Sequence, residues 1–263
     1  MLKKNVSKEV VALSISCISL TAILTTSTHA VERTSHNPVL IELFTSEGCS
    51  SCPPAEKLVK QIKQEMGDNV IILSEHVDYW NHLGWKDPFS SKTFTNRQYN
   101  YAKHFGRSGV YTPQVVVNGK TQAVGSNRRA LLSAIKNGKT KAQGKLTQSI
   151  RKPRGTNALK TNLVFHNIDE KQYREPVNVT AALVKKEAST NVKRGENFGR
   201  KLSHSNVVVE LKSLTNTKIG KGISKSITFD TIPKGRLDSY SVVAFVQGAK
   251  SGRVYLANKQ SID

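Results

Sequence analysis

Apolar positions follow two rhythms along the chain, and the change falls near residue 144. Val39-Leu40-Ile41-Glu42-Leu43-Phe44 is a nearly unbroken apolar run, the pattern of a strand buried on both faces. Ala55, Leu58, Val59, Ile62 and Met66 then recur at helical spacing. They predict an amphipathic helix with Pro54 in its first turn and Gly67-Asp68-Asn69 beyond its end. Residues 70–75 form a second apolar run. Strand, helix and strand of these lengths predict a βαβ unit with parallel strands. Residues 77–111 are long and rich in aromatics. They are expected as an insertion whose second half is helical, because Phe94, Tyr101, Ala102 and Phe105 share a face ahead of Gly106. Residues 114–117, the turn Asn118-Gly119 and residues 121–124 predict a hairpin. A last helix, capped by Ser126 or Asn127, turns Leu131, Ala134 and Ile135 inward and stops at Gly138.

From Gly144 the period becomes two. Leu159, Thr161, Leu163 and Phe165 alternate with polar residues, as do Val177, Val179, Ala181 and Leu183. Further runs at 207–214, 226–229, 241–247 and 254–257 bring the expected number of strands to about six, enough for an antiparallel sandwich. Residues 139–144 read as the linker. The expected domains are therefore 31–143, α/β, and 144–263, all β.

The first 30 residues change the picture of the mature chain. Lys3, Lys4 and Lys8 precede an apolar stretch over residues 10–24, and Thr28-His29-Ala30 is a small-residue exit; residues 1–30 read as a secretory signal. An uncleaved anchor would want about 20 apolar residues, more than this stretch offers, and a lipid-bearing Cys17 lacks Leu three residues before it. Cleavage after Ala30 removes Cys17 and leaves Cys49 and Cys52 as the mature chain's two cysteines, in an oxidising periplasmic or extracellular setting. No other stretch is expected to span a membrane. Forty Lys and Arg against 19 Asp and Glu give a formal charge of +21. The excess is uneven: 15 basic and 9 acidic side chains in 31–143, against 22 and 9 in 144–263. The basic residues are scattered along strand-like segments without a stacking aromatic stripe, so a nucleic acid is not the expected partner. Attraction to anionic envelope surfaces fits the same field.

Cys49-Ser50-Ser51-Cys52 carries the chemistry. The two-residue gap lets both sulfurs meet in a small disulfide ring. The helix start places N–H dipoles beside the first sulfur, which favours its thiolate, the attacking species in disulfide exchange. Cys49 is expected on the open side of the turn as nucleophile, and Cys52, more buried, as resolving thiol. A structural disulfide and half of a zinc site are the competing readings of a CxxC; closed zinc sites usually need four ligands, and no second CxxC exists. His76 and Asp78 follow the second strand, at the end where such sheets build sites. His76 is a candidate to stabilise the Cys49 thiolate or move its proton, with Asp78 orienting it or taking a proton from Cys52; a capped turn is the alternative. Trp80, Trp85, Phe89 and Phe94 either line a peptide cleft or form a core under the insertion. His82 and His104 are expected on the surface.

This pattern resembles the thioredoxin superfamily, and more narrowly the exported bacterial family called domain of unknown function 1223. The resemblance is carried by residues 42–55 (ELFTSEGCSSCPPA), His76-Val77-Asp78-Tyr79-Trp80, Tyr111-Thr112-Pro113-Gln114 and Gly195-Glu196-Asn197. It implies a thioredoxin-like α/β domain with a helical, aromatic-rich insertion, followed by an all-β sandwich. It also implies a cis Pro113 facing the disulfide, with the Thr112 backbone turned out to pair with an extended substrate. Glu196 and Asn197 are expected to brace a loop or a domain contact. The chain departs from thioredoxin proper in having Ser50-Ser51 for Gly-Pro and no Trp before Cys49.

The expected function is thiol–disulfide exchange on the thiols or disulfides of exported proteins, using no cofactor and no metal. The rival is a metal-binding module in which Cys49, Cys52 and His76 hold Cu(I) or another thiophilic ion. A non-enzymatic binding protein with a structural disulfide is the third class.

Overall fold

The computed structural model describes residues 1–2, 37–139, 144–168, 171, 173, 175–220, 222–230 and 235–262. The expected signal, with Cys17 and Thr28-His29-Ala30, and most of the expected linker lie outside the described residues. The elements are β1 (Val39–Thr45), α1 (Pro53–Met66), β2 (Val70–His76), α2 (Lys92–His104), β3 (Gln114–Val117), β4 (Thr121–Val124) and α3 (Arg128–Gly138). They continue with β5 (Lys145–Arg151), β6 (Leu159–His166), β7 (Val177–Asn191), β8 (Lys201–Thr217), β9 (Ser224–Phe229), β10 (Tyr240–Gly248) and β11 (Val254–Ser261).

β1 pairs in parallel with β2, from Val39 opposite Val70 to Thr45 opposite His76, and antiparallel with β3. The Asn118-Gly119 turn joins β3 to β4 with φ of 47° and 67°, values that Asn and Gly adopt most readily. β1 is buried along its whole length because both faces are covered. Val39, Ile41 and Leu43 pack with Leu58, Val59 and Ile62 of α1 and Leu131 and Ile135 of α3. Leu40 joins a second cluster with Phe94 of α2, and Phe44 a third with Tyr101. The aromatic stretch expected as an insertion holds a 3-10 turn at Asn81–Leu83 and then α2, capped by the Ser91 side chain, which accepts from the Thr93 N–H at 3.2 Å. It forms the connection from β2 to β3.

The stretch from residue 144 was expected as a separate sandwich. Its strands instead divide between two sheets. β7, β8, β10 and β11 extend the first sheet to the order β11-β10-β7-β8-β2-β1-β3-β4, while β5, β6 and β9 form a second sheet of three. The join is the parallel pair Ser74–Val207, where Ser74 Oγ donates to the Ser205 carbonyl at 2.8 Å. The small sheet packs Leu163, Phe165 and Phe229 against Val179, Val242 and Val246 of the large one. A sandwich is therefore present, with one sheet continuous with the α/β half.

β7 and β8 run further than their apolar residues suggest. They stay paired from Glu187–Ser205 to Asn191–Lys201, so a hairpin arm projects beyond the sheet core. Its residues are mostly polar and are held by backbone pairing, which leaves no apolar alternation to mark them. Among the described residues, no helix is long and apolar enough to cross a membrane.

Candidate functional site

β1 ends in two successive turns. The Cys49 N–H donates to the Ser46 carbonyl at 3.1 Å, and the Cys52 N–H to the Cys49 carbonyl at 3.2 Å. The Cys52 carbonyl then accepts from the Ala55 and Glu56 N–H groups and starts α1, with Pro53 and Pro54 at positions whose N–H has no intrahelical acceptor. Cys49 and Cys52 are joined in a disulfide, with Cα atoms 5.4 Å apart. Gly48 is required by close packing: a Cβ there would stand 2.9 Å from Trp80 Cβ.

One expectation for the cysteines is corrected. Cys49 is fully buried, like Cys52, and only Ser50 and Ser51 of the motif are exposed. The tip of the β7–β8 arm is bonded to the backbone of this loop. Asn197 Nδ2 donates to the Glu47 carbonyl at 2.9 Å and to the Cys49 carbonyl at 3.0 Å. The Ser50 N–H donates to Glu196 Oε2 at 2.9 Å. Arg200 fixes the Asn197 amide by donating to its Oδ1 at 2.7 Å. Glu196 and Asn197 thus brace the CxxC loop, and the backbone bond from Ser50 holds the Glu196 carboxyl below the ordinary glutamate value.

His76 ends β2 on the α1 side of the sheet, opposite Thr45. It is wholly buried, and its Nδ1 lies 2.7 Å from Asp87 Oδ2. The orienting carboxylate is therefore Asp87, not Asp78. Asp78, two residues past β2, is tied to the first turn of α2: its Oδ1 accepts from Thr95 Oγ1 and its N–H donates to the same hydroxyl. Burial pushes the Asp87 carboxyl up, but His76 and the N–H groups of Glu47 and Phe89 outweigh it and hold it below the usual aspartate value. His204, on the β7–β8 arm, stands beside His76 with ring centroids 4.9 Å apart, and Phe89 packs edgewise on both rings. His204 Nδ1 meets Glu56 Oε2 at 2.5 Å and its Nε2 meets Glu47 Oε1 at 2.9 Å. Burial opposes its charge, yet the two carboxylates carry its pKa up to about 10. Glu56 also accepts from Thr45 Oγ1, and Glu47 from Trp85 Nε1.

A second buried polar cluster lies on the α2 side. Glu42 accepts from Arg97 Nε and from the Tyr101 hydroxyl, each at 2.5 Å. Gln247 links the two donors, accepting from Arg97 at 3.2 Å and donating to Tyr101 at 2.8 Å. Glu75 stands 3.6 Å from Arg97, within ion-pair range but beyond hydrogen-bond distance. Burial first, and Glu42 second, push its pKa well above the ordinary glutamate value.

Thr112 and Pro113 precede β3, and the bond between them is cis. Thr112 Oγ1 accepts from Trp80 Nε1 at 2.8 Å. A Cβ on Gly125 would meet Ala55 Cβ at 3.0 Å and Pro113 Cβ at 3.2 Å, which sets Pro113 against the first turn of α1. Of the aromatics, Phe94 belongs to the core, while Trp80, Trp85 and Phe89 are half-buried around the CxxC loop and the histidines. His82 and His104 are exposed.

Glu47, Glu56, Asp87 and His204 carry no local signature. They are brought together across as many as 157 residues of sequence. Gly195-Glu196-Asn197, singled out beforehand, was the one signal that the distant arm belongs to the site.

A disulfide of Cys-x-x-Cys spacing at the first turn of α1, on a sheet ordered β2-β1-β3-β4, defines a thioredoxin-like module. Over 99 residues, 37% of this chain, the sequence is 34% identical to a thioredoxin of Methanocaldococcus jannaschii and covers 93% of it. The whole chain belongs to the family described as protein of unknown function (DUF1223), whose model matches residues 40–247. Protein AGR_C_4864 of Agrobacterium tumefaciens, a crystal structure, is 28% identical with a TM-score of 0.62, the alignment covering 85% of this chain and 93% of that one. HBP35 of Porphyromonas gingivalis shares the fold at 18% identity and a TM-score of 0.61, with 87% and 76% covered.

Proposed function

We infer that the chain is an exported thiol–disulfide oxidoreductase acting on cysteines of other exported proteins. The observation that carries this reading is the Cys49–Cys52 disulfide at the start of α1 in a thioredoxin-like sheet. From this oxidised form, a partner thiolate attacks Cys49 Sγ, the Cys49–Cys52 bond breaks, and Cys52 leaves as thiolate. A second partner thiolate then attacks the partner's own sulfur in the mixed disulfide. The partner departs as a disulfide, and Cys49 and Cys52 take up the two protons as a dithiol. Run backwards, the same steps reduce a partner's disulfide. The backbone of Thr112 and the ring of Pro113 are assigned to the extended substrate segment. Because both cysteines are buried, exchange requires the loop to open, and the Glu196–Ser50 and Asn197–Cys49 contacts are the bonds assigned to that opening.

Trapping tests the reading. In Cys52→Ser the mixed disulfide with partners should accumulate, and in Cys49→Ser exchange should stop. Variants that leave exchange with a dithiol peptide unchanged while lowering stability would show the bond to be structural only.

A further inference from the structure

We propose that His76, His204 and Glu56 form a binding site for one first-row divalent metal ion, zinc being the reference case, built without the cysteines. One ring nitrogen of each histidine and one carboxylate oxygen of Glu56 all lie within 4.8 Å of one another. His76 Nδ1 is taken by Asp87, so Nε2 is the nitrogen free to ligate, and it is buried with no hydrogen-bond partner. An orphaned buried ring nitrogen is costly, of order 1–3 kcal/mol, and a metal bond would satisfy it.

The surrounding carboxylates are arranged as those of a metal site. Metal-bound histidines usually give their second nitrogen to a carboxylate, which fixes the ring and strengthens the ligand. Here Asp87 does this for His76 and Glu47 for His204. Two imidazoles and one carboxylate suit zinc and its neighbours, leaving one position open to water or a fourth ligand. Ligation would replace the His204–Glu56 hydrogen bond by one bond from each residue to the ion and draw His76 inward.

Charge favours the same conclusion. Glu47, Glu56 and Asp87 place three carboxylates in one pocket, and among the described residues no lysine or arginine pairs with any of them. Their compensation rests on imidazoles, whose ring nitrogens can bind a divalent ion in place of a proton. Glu56 also lines a surface cleft of about 290 Å³, which gives an ion a way in. The rim carries Lys57, Lys60, Arg200 and Lys201, so attraction for a cation is confined to the buried carboxylates.

The proposal does not depend on the exchange reaction. The test uses the full chain carrying Cys17→Ser, with Cys49–Cys52 oxidised, so that no thiolate is available. After chelation and dialysis, calorimetric titration with Zn²⁺ should give one ion per chain, and Co²⁺ should give visible bands of a low-coordinate nitrogen–oxygen site. Glu56→Gln, the least buried ligand, should weaken Zn²⁺ at least 10-fold, and His76→Ala should abolish binding. Asp87→Asn should cost 10- to 100-fold. Should His76→Ala fail to fold by circular dichroism, Glu56→Gln and Asp87→Asn decide the matter. His82→Ala with His104→Ala, and Cys49→Ser with Cys52→Ser, should leave affinity unchanged. The absence of stoichiometric binding to the oxidised chain would overturn the proposal, as would affinity unaltered in Glu56→Gln and Asp87→Asn or lost with the cysteines.

Discussion

The two buried polar clusters sit on opposite faces of the same pair of strands and solve the same problem differently. On the α2 face, Glu42 is answered by Arg97, whose guanidinium stays charged at any physiological pH and offers a rigid fork of donors. At its neighbour Glu75, burial first and Glu42 second disfavour a second negative charge and raise the pKa. On that face Glu42 is answered internally by a cation that does not titrate. On the α1 face, three carboxylates are answered by two histidines. Imidazole is a donor, an acceptor or a ligand according to what stands beside it. The first arrangement can only be kept or broken, whereas the second can exchange its counter-cation.

The comparison can be broken most severely at Arg97. Arg97→Leu leaves Glu42 buried with Tyr101 as its remaining charged-state donor, and should cost about 3–5 kcal/mol in urea unfolding. A loss below about 1 kcal/mol would mean that water compensates this face. His204→Leu should cost less, about 2–3 kcal/mol, because Glu56 borders a surface cleft and can be rehydrated. The same variant sharpens the contrast through pH. A folded pKa near 10, above the unfolded value of about 6.5, means that the stability His204 contributes is complete below about pH 6.5 and lost as pH rises through about 10. In metal-free protein this alkaline loss should vanish with His204→Leu; a profile that keeps it would assign the loss elsewhere.

Smaller effects are expected at the arm and at the neutral acid. Asn197→Ala removes one donor from each of two buried carbonyls, that of Cys49 keeping the Cys52 N–H, and should cost about 1–2 kcal/mol. It should also speed reduction of the Cys49–Cys52 bond by dithiothreitol, read by thiol alkylation, and an unchanged rate would remove the arm from control of the site. Glu75→Gln should be nearly neutral near pH 5, within about 0.5 kcal/mol. Its effect turns stabilising as pH rises: a raised folded pKa gives stability below the unfolded value of about 4.3 that is lost as pH climbs through the folded one, and Gln cannot ionise. Equal stability of both proteins across pH 5–9 would show that Glu75 is ionised and compensated.

What could be read from the sequence was local. Residues 39–138 announce their strands and helices because apolar spacing, Pro54, Gly67 and Asn118-Gly119 all agree with the structure. The cysteine pair at a helix start was legible for the same reason. The continuous sheet was not, because Ser74 and Val207 meet by backbone pairing that no side-chain pattern records. β5 was missed since only Leu146 of its seven residues is fully buried. The polar arm hid His204, and with it the true partners of Glu47 and Glu56. Asp78 was chosen for proximity in sequence to His76, while Asp87 reaches the ring by a turn that apolar spacing cannot foretell.

The arm's reach has a consequence in time. Its tip joins the cysteine loop across 146 to 150 residues of chain. A polypeptide emerges N-terminus first, and contacts so distant in sequence form late. Until residues 196–204 have been delivered, the cysteine loop lacks its bonds to Glu196 and Asn197, so the last part of the site to be made is the part that braces the first.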